Sequence, residues 1–207
     1  MISHSHKFLF VHVPKTGGTS IEYALDEYNT ADSSKKSNGE WIGGSIDHKH
    51  AFLNDYIDSP KRKFSIPKES LGDYFKFSFA RNPWARTFSH YRMFKRNGPY
   101  VATESLQSFV KFYCRKPRGG WRGRNFAPVL DHVFFDGSVG VDFIGKFENF
   151  ETDFYYVCDK IGIPAPKLPH VNKSKVHNYV DYYDEESMEI VAKKYAKDID
   201  YFGYKFK

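Results

Sequence analysis

Phe8-Leu9-Phe10-Val11-His12-Val13-Pro14-Lys15-Thr16-Gly17-Gly18-Thr19-Ser20 is the stretch on which the fold turns. Its first four residues are a continuous apolar run, which is how a strand buried on both faces of a parallel sheet reads. After the loop, Ile21, Ala24, Leu25 and Tyr28 recur at i, i+3, i+4 and i+7, the period of an amphipathic helix. The opening is therefore strand, tight loop, helix. Gly17 and Gly18 let the backbone curl so that successive N–H groups can face one anion. The positive end of the helix adds to that field, Lys15 adds a mobile cation, and Thr16, Thr19 and Ser20 add hydroxyl donors. A terminal phosphate or sulfate fits such a nest. An ordinary strand–helix turn with a solvated lysine is the alternative, and it leaves the coincidence of glycines, lysine and hydroxyls unexplained. The triphosphatase pattern G-x-x-x-x-G-K-[ST] does not apply, because here the lysine precedes the glycines. Nor is there a clear hydrophobic strand ending in an aspartate placed to hold magnesium, so no metal is expected.

Further along, Phe75, Phe77 and Phe79 alternate with Lys76 and Ser78, which reads as a second, half-buried strand. It runs into Arg81-Asn82-Pro83, where Asn82 suits a helix N-cap and Pro83 the first turn. On that helix Ser89 lies two turns on, with Arg86 as its i−3 neighbour, so Arg81 and Ser89 can converge on one phosphate. Arginine brings a planar fork for phosphate oxygens and serine a further donor. Leu106, Phe109, Val110 and Tyr113 mark a short helix, and Val141–Ile144 a third strand. A helix with Phe150, Phe154, Val157, Cys158 and Ile161 on one face follows, stopped by Gly162 and Pro164. The last helix opens at Asp184 and turns Met188, Val191, Ala192 and Tyr195 inward. Strands alternating with helices predict an α/β fold, a parallel sheet with helices on both faces. Ligands of such sheets bind at the carboxyl ends of the strands, where Lys15 and Arg81 fall.

The 207 residues, 41% hydrophobic and 18% aromatic, suit a single packed domain over 1–207. Nothing approaches the ~20 apolar residues of a membrane span, and the N-terminus lacks the layout of a signal peptide. Cys114 and Cys158 are the only cysteines, too few for a disulfide framework, so a reducing, cytoplasmic location is expected. A net charge of +6 favours an anionic ligand. The positive charge gathers at Lys61–Lys63 and along Arg115-Lys116-Pro117-Arg118-Gly119-Gly120-Trp121-Arg122-Gly123-Arg124. The second stretch could bind an anionic sugar, with Trp121 stacking on a ring; a solvated basic loop is the plainer account.

Pro14-Lys15-Thr16-Gly17-Gly18-Thr19-Ser20 together with Arg81-Asn82-Pro83, Arg86, Ser89 and Tyr91 resembles the two nucleotide-binding signatures of Golgi-type carbohydrate sulfotransferases and their bacterial relatives. The branch it is most similar to holds the heparan and dermatan/chondroitin sulfotransferases. The likeness continues through Phe143–Phe150 and Leu168–Asn172 to the C-terminal helix, and is weakest in the middle of the chain. It implies a P-loop, sulfotransferase-like fold that binds 3′-phosphoadenosine 5′-phosphosulfate (PAPS) and releases 3′-phosphoadenosine 5′-phosphate (PAP). By resemblance, Lys15, Thr16, Gly17, Gly18, Thr19 and Ser20 would hold the phosphosulfate, and Arg81 and Ser89 the 3′-phosphate. Lys173 and Ser174, in a late loop like one that closes over the cofactor, are further candidates for that phosphate. The family's membrane anchor has no counterpart, so a soluble form is expected.

Sulfuryl transfer to an alcohol needs a base for the hydroxyl proton, and imidazole titrates near working pH. Asp47-His48-Lys49-His50 lies between the two motifs, and Lys49-His50 resembles the setting of the family's base histidine. His50 is the expected base, with His48 supporting it; exposed or metal-binding histidines are the alternative. The expected activity is in-line transfer of a sulfuryl group from PAPS to a hydroxyl of a carbohydrate. Positioning and electrostatics dominate such a reaction. Sulfuryl oxygens carry less charge than phosphoryl oxygens, which fits a site without metal. A nucleotide or small-molecule kinase and a non-catalytic polyanion-binding protein remain as alternatives; nucleic acid is not an expected partner.

Overall fold

A computed structural model of the chain describes residues 1–29, 50–58, 65–97, 104–115, 120–169 and 178–207. In chain order they form β1 (Ile2–Ser3), β2 (Phe8–Val11), α1 (Gly18–Ala24), β3 (Phe75–Ala80), α2 (Pro83–Arg96), α3 (Leu106–Tyr113), α4 (Gly120–Asn125), α5 (Val129–Val133), β4 (Phe134–Phe135), β5 (Ser138–Val139), β6 (Phe143–Lys146), α6 (Phe150–Ile161), α7 (Glu185–Lys194) and α8 (Ala196–Phe202). They divide into two compact units, one of Met1–Ala80 with Asp131–Lys173, the other of Arg81–Leu130 with Ser174–Lys207.

The first unit carries the sheet, in the order β1-β2-β3-β6. β2, β3 and β6 run parallel, and β1 adds an antiparallel edge. The α/β class and the parallel centre agree with the sequence, whereas a two-residue edge strand is too short to announce itself. Phe8, Phe10, Phe77 and Phe79 share one face and pack with Ile21 of α1, with Leu25 just after it, and with Phe154, Val157, Cys158 and Ile161 of α6. Each such buried side chain contributes about 1.5–3 kcal/mol. The alternation in Phe75–Ala80 had read as a half-buried strand, and that reading is corrected: Lys76 and Ser78, on the opposite face, are buried too. Their polar groups are satisfied locally. Lys76 Nζ lies 2.8 Å from Asp142 Oδ2 and donates to Tyr74 O at 2.9 Å, while Ser78 Oγ donates to Val11 O at 2.8 Å. The third strand begins at Phe143 instead of Val141, where its ladder with Phe77 starts. Asp142 is instead engaged sideways, its carboxylate accepting from Lys76 N. α1 ends at Ala24, and Asp26–Tyr28 continues as a 3-10 turn, so the helical run read to Tyr28 is tighter at its end.

The second unit is helical. Trp84, Phe88, Tyr91 and Phe94 of α2 pack with Leu106, Phe109, Val110 and Tyr113 of α3 and with Val191 and Tyr195. Asn82 is the N-cap of α2, its Oδ1 accepting from Trp84 N at 3.1 Å and Ala85 N at 3.4 Å, with Pro83 following as expected. Its Nδ2 also donates to Lys205 O at 2.9 Å. Asn82→Ala therefore removes a cap and a long-range tie, and a stability loss of about 0.5–2 kcal/mol is expected from the urea midpoint. A midpoint within error of wild type would mean that neither bond stabilises the native state.

Candidate nucleotide and acceptor site

The loop between β2 and α1 takes its curvature from two left-handed residues, Lys15 (φ 66°) and Gly17 (φ 89°). A left-handed lysine costs on the order of 1–3 kcal/mol, strain of the kind concentrated at functional loops. Thr16 is fully buried and its Oγ1 donates to Val13 O at 2.9 Å, so this hydroxyl braces the turn from inside. Ser20 is buried as well, while Lys15, Gly17 and Thr19 keep part of their surface exposed. The exposed set thus alternates along the loop. The two glycines serve different ends. A side chain at Gly17 would meet the Phe150 ring at 2.7 Å, besides being strained at that φ; at Gly18, where φ is ordinary, it would collide with the Cδ2–Nε2 edge of the His12 ring. Curl therefore accounts for Gly17, and room for an imidazole accounts for Gly18.

His12 had no role assigned from sequence. It is buried at the end of β2, its Nδ1 2.8 Å from Glu22 Oε1, and Glu22 is buried with it. Its ring stacks on Phe10 at 5.7 Å and meets His50 edge-on at 5.0 Å, with 87° between the planes. His50 is partly exposed and has a left-handed backbone, φ 64°. The first unit therefore brings His50 to the foot of the Lys15–Ser20 loop. The sequence signal for this was the spacing of Gly18 and Glu22, four apart and so on one face of α1.

In the second unit, Arg81 is the first residue after β3, and Ser89 lies on the second turn of α2. Of residues 81–91, these two alone are not buried. Arg86, between them, is buried: it donates to Ala127 O at 2.9 Å and Asn125 O at 3.4 Å, and lies over the Tyr195 ring. Its guanidinium holds the helical unit together from inside. His48, Lys173 and Ser174 lie outside the described residues, as do Lys49, Lys61–Lys63 and residues 116–119 of the basic stretch. Arg115 is exposed, 4.0 Å from Glu186. Among the described residues no three His, Cys, Asp or Glu side chains gather as a metal site. No helix among them is long and apolar enough to cross a membrane.

A model of the sulfotransferase family matches residues 1–205. The chain belongs to that family. Among curated relatives, the chain is 27% identical to carbohydrate sulfotransferase 10 of Xenopus laevis over 99% of its own length. It is 24% identical to carbohydrate sulfotransferase 14 of Danio rerio, again over 99% of its length. It spans only 66% and 61% of those two relatives. An uncharacterized protein of Archaeoglobus fulgidus is 34% identical over 55% of this chain and 89% of its own. Among solved structures, mouse sulfotransferase SULT7A1 complexed with PAP aligns with 96% of this chain and 85% of its own, at a TM-score of 0.53 and 12% identity. That likeness confirms the sulfotransferase fold.

Proposed function

We propose that this sulfotransferase moves a sulfuryl group from PAPS to a hydroxyl of a carbohydrate acceptor, residues 1–207 acting as one functional domain. The observation that carries the reading is the Lys15–Thr19 turn, bent by Lys15 and Gly17 and open along the exposed side of Lys15, Gly17 and Thr19. A turn of this kind presents N–H groups to a compact anion, and Lys15 adds its charge. Two relatives named as carbohydrate sulfotransferases and a structural neighbour complexed with PAP support the choice of donor and acceptor.

PAPS, when bound, supplies the activated sulfuryl group and departs as PAP. On this reading Lys15, Thr19, the backbone of Thr16, Gly17 and Gly18 and the Ser20 hydroxyl hold the phosphosulfate and stabilise charge gathering on its oxygens. Arg81 and Ser89 hold the 3′-phosphate, with Lys173 and Ser174 as further contacts. His50 takes the acceptor hydroxyl proton, supported by His48. The basic stretch Arg115–Arg124 is proposed to meet an anionic saccharide. A reducing, cytoplasmic setting is proposed with it, since Cys114 and Cys158 are buried as free thiols.

The test is thermal stabilisation by PAP, AMP and ATP with magnesium. A ligand bound by the folded state alone stabilises by RT ln(1 + [L]/Kd), so PAP is expected to raise Tm well beyond AMP at equal concentration. Equal shifts with PAP and AMP would overturn the donor assignment, and a larger shift with ATP and magnesium would favour a kinase.

A further inference from the structure

We propose that Glu22 and His12 are a positioning pair that orients the imidazole of His50, an inference that rests on His50 being the base. A carboxylate is costly to bury unless something pairs with it, and beside it in the buried part of the α1 segment Ile21, Ala24 and Leu25 are apolar and Ser20 carries only a neutral hydroxyl. Glu22 nevertheless points inward, 2.8 Å from His12 Nδ1. A carboxylate can only accept, so this contact places the proton of His12 on Nδ1 and fixes its tautomer. The ring is held on its other sides as well. Phe10 stacks on it with 18° between planes, and the missing side chain of Gly18 leaves the space its other edge fills. Gly18 and Glu22 thus act as one face of α1, the first admitting the ring and the second gripping it.

A ring clamped on three sides is a fixed surface, and His50 stands edge-on against it at 5.0 Å. The left-handed backbone of His50 aims its side chain, and the His12 ring limits the rotamers left to it. A base that must meet a hydroxyl within hydrogen-bond reach gains from having few orientations, and misplacement of about 1 Å can cost roughly a hundredfold in rate. The pair touches neither acceptor nor donor on this account; it acts through His50.

The experiment uses the full chain. Imidazole nitrogen NMR, with His50→Gln to assign the His50 signals, reads tautomer and orientation; calorimetry with PAP serves as the control. In wild type, His12 is expected to carry its proton on Nδ1, its ring protons to cross-relax with those of His50, and His50 to show one dominant tautomer. His12→Asn keeps a donor near Glu22 but removes the ring, and Glu22→Gln keeps an acceptor but removes the charge. Both are expected to give His50 mixed tautomers while PAP affinity stays within about twofold, a change that a purely structural role would not produce. Unaltered His50 signals in both folded variants would overturn the proposal. If neither variant folds, wild type decides: an unprotonated His12 Nδ1, or no cross-relaxation between the two rings, overturns it. Failure of wild type to bind PAP would instead sink the sulfuryl-transfer reading, and the two failures are thereby distinct.

Discussion

His50→Ala is expected to lower kcat by ~10²–10⁴ while leaving the fold and PAP affinity intact, the usual worth of a general base. An alcohol is a poor nucleophile until its proton is taken, and an imidazole is the side chain suited to take it near neutral pH. The structure adds that His50 is partly exposed, as an acceptor would need, and meets His12 at the root of the Lys15–Ser20 loop. Alanine at a φ of 64° is itself strained, so His50→Asn is the better-matched variant; asparagine tolerates the left-handed region and brings no base. Both variants are expected to fall together in single-turnover transfer from PAPS, with circular dichroism and PAP titration as controls. His48→Ala is expected to do less harm. Wild-type turnover in His50→Asn, or a loss that merely follows PAP affinity, would remove His50 from the base role; greater damage from His48→Ala would move that role to His48.

Arg81→Ala is expected to weaken PAP binding by roughly ten- to a hundredfold and AMP binding hardly at all. A hydrogen bond to a charged group contributes about 1.5–3 kcal/mol, and every 1.4 kcal/mol is tenfold in affinity. Arg86 makes the contrast. Both arginines belong to the same stretch, yet Arg86 is spent on two backbone carbonyls in the interior, while Arg81 and Ser89 keep surface available. Lys15→Ala is expected to slow transfer more than it weakens PAP. Calorimetric titration of Arg81→Ala with PAP and AMP checks the assignment; a parallel loss for both ligands would make Arg81 a structural residue.

Much of the fold was written locally. The apolar run of β2, the Asn82 cap with Pro83, the four inward residues of α3 and the Gly162 stop of α6 are governed by neighbours in the chain, and each was legible. So was the place of Lys15 and the glycines on a strand-to-helix turn. The failures were tertiary. Lys76 looked solvent-facing because lysines usually are, but Asp142, 66 residues away, meets it and allows its burial. The ring of His12 looked like one polar residue ending a strand, since its meaning depends on Glu22 and on an empty place at Gly18. The interior role of Arg86 was not legible either, because a guanidinium that binds carbonyls cannot be told, by residue type, from one that faces solvent or phosphate.

The division into two units has a consequence for how the chain is made. Neither unit is continuous: Arg81–Leu130 interrupts the first, and Asp131–Lys173 interrupts the second. Emerging from a ribosome, β2 and β3 can pair early, but β6, which completes the ladder at Phe77–Ala80, leaves more than a full helical segment later. The Phe8 and Phe10 side chains must then wait for Phe154 and Val157 of α6 before their face is covered. Contacts of such sequence separation form slowly, and an open strand edge is exposed meanwhile to other chains. The vulnerable species for this protein is therefore a nascent one, a phenylalanine-lined half-sheet awaiting its last strand.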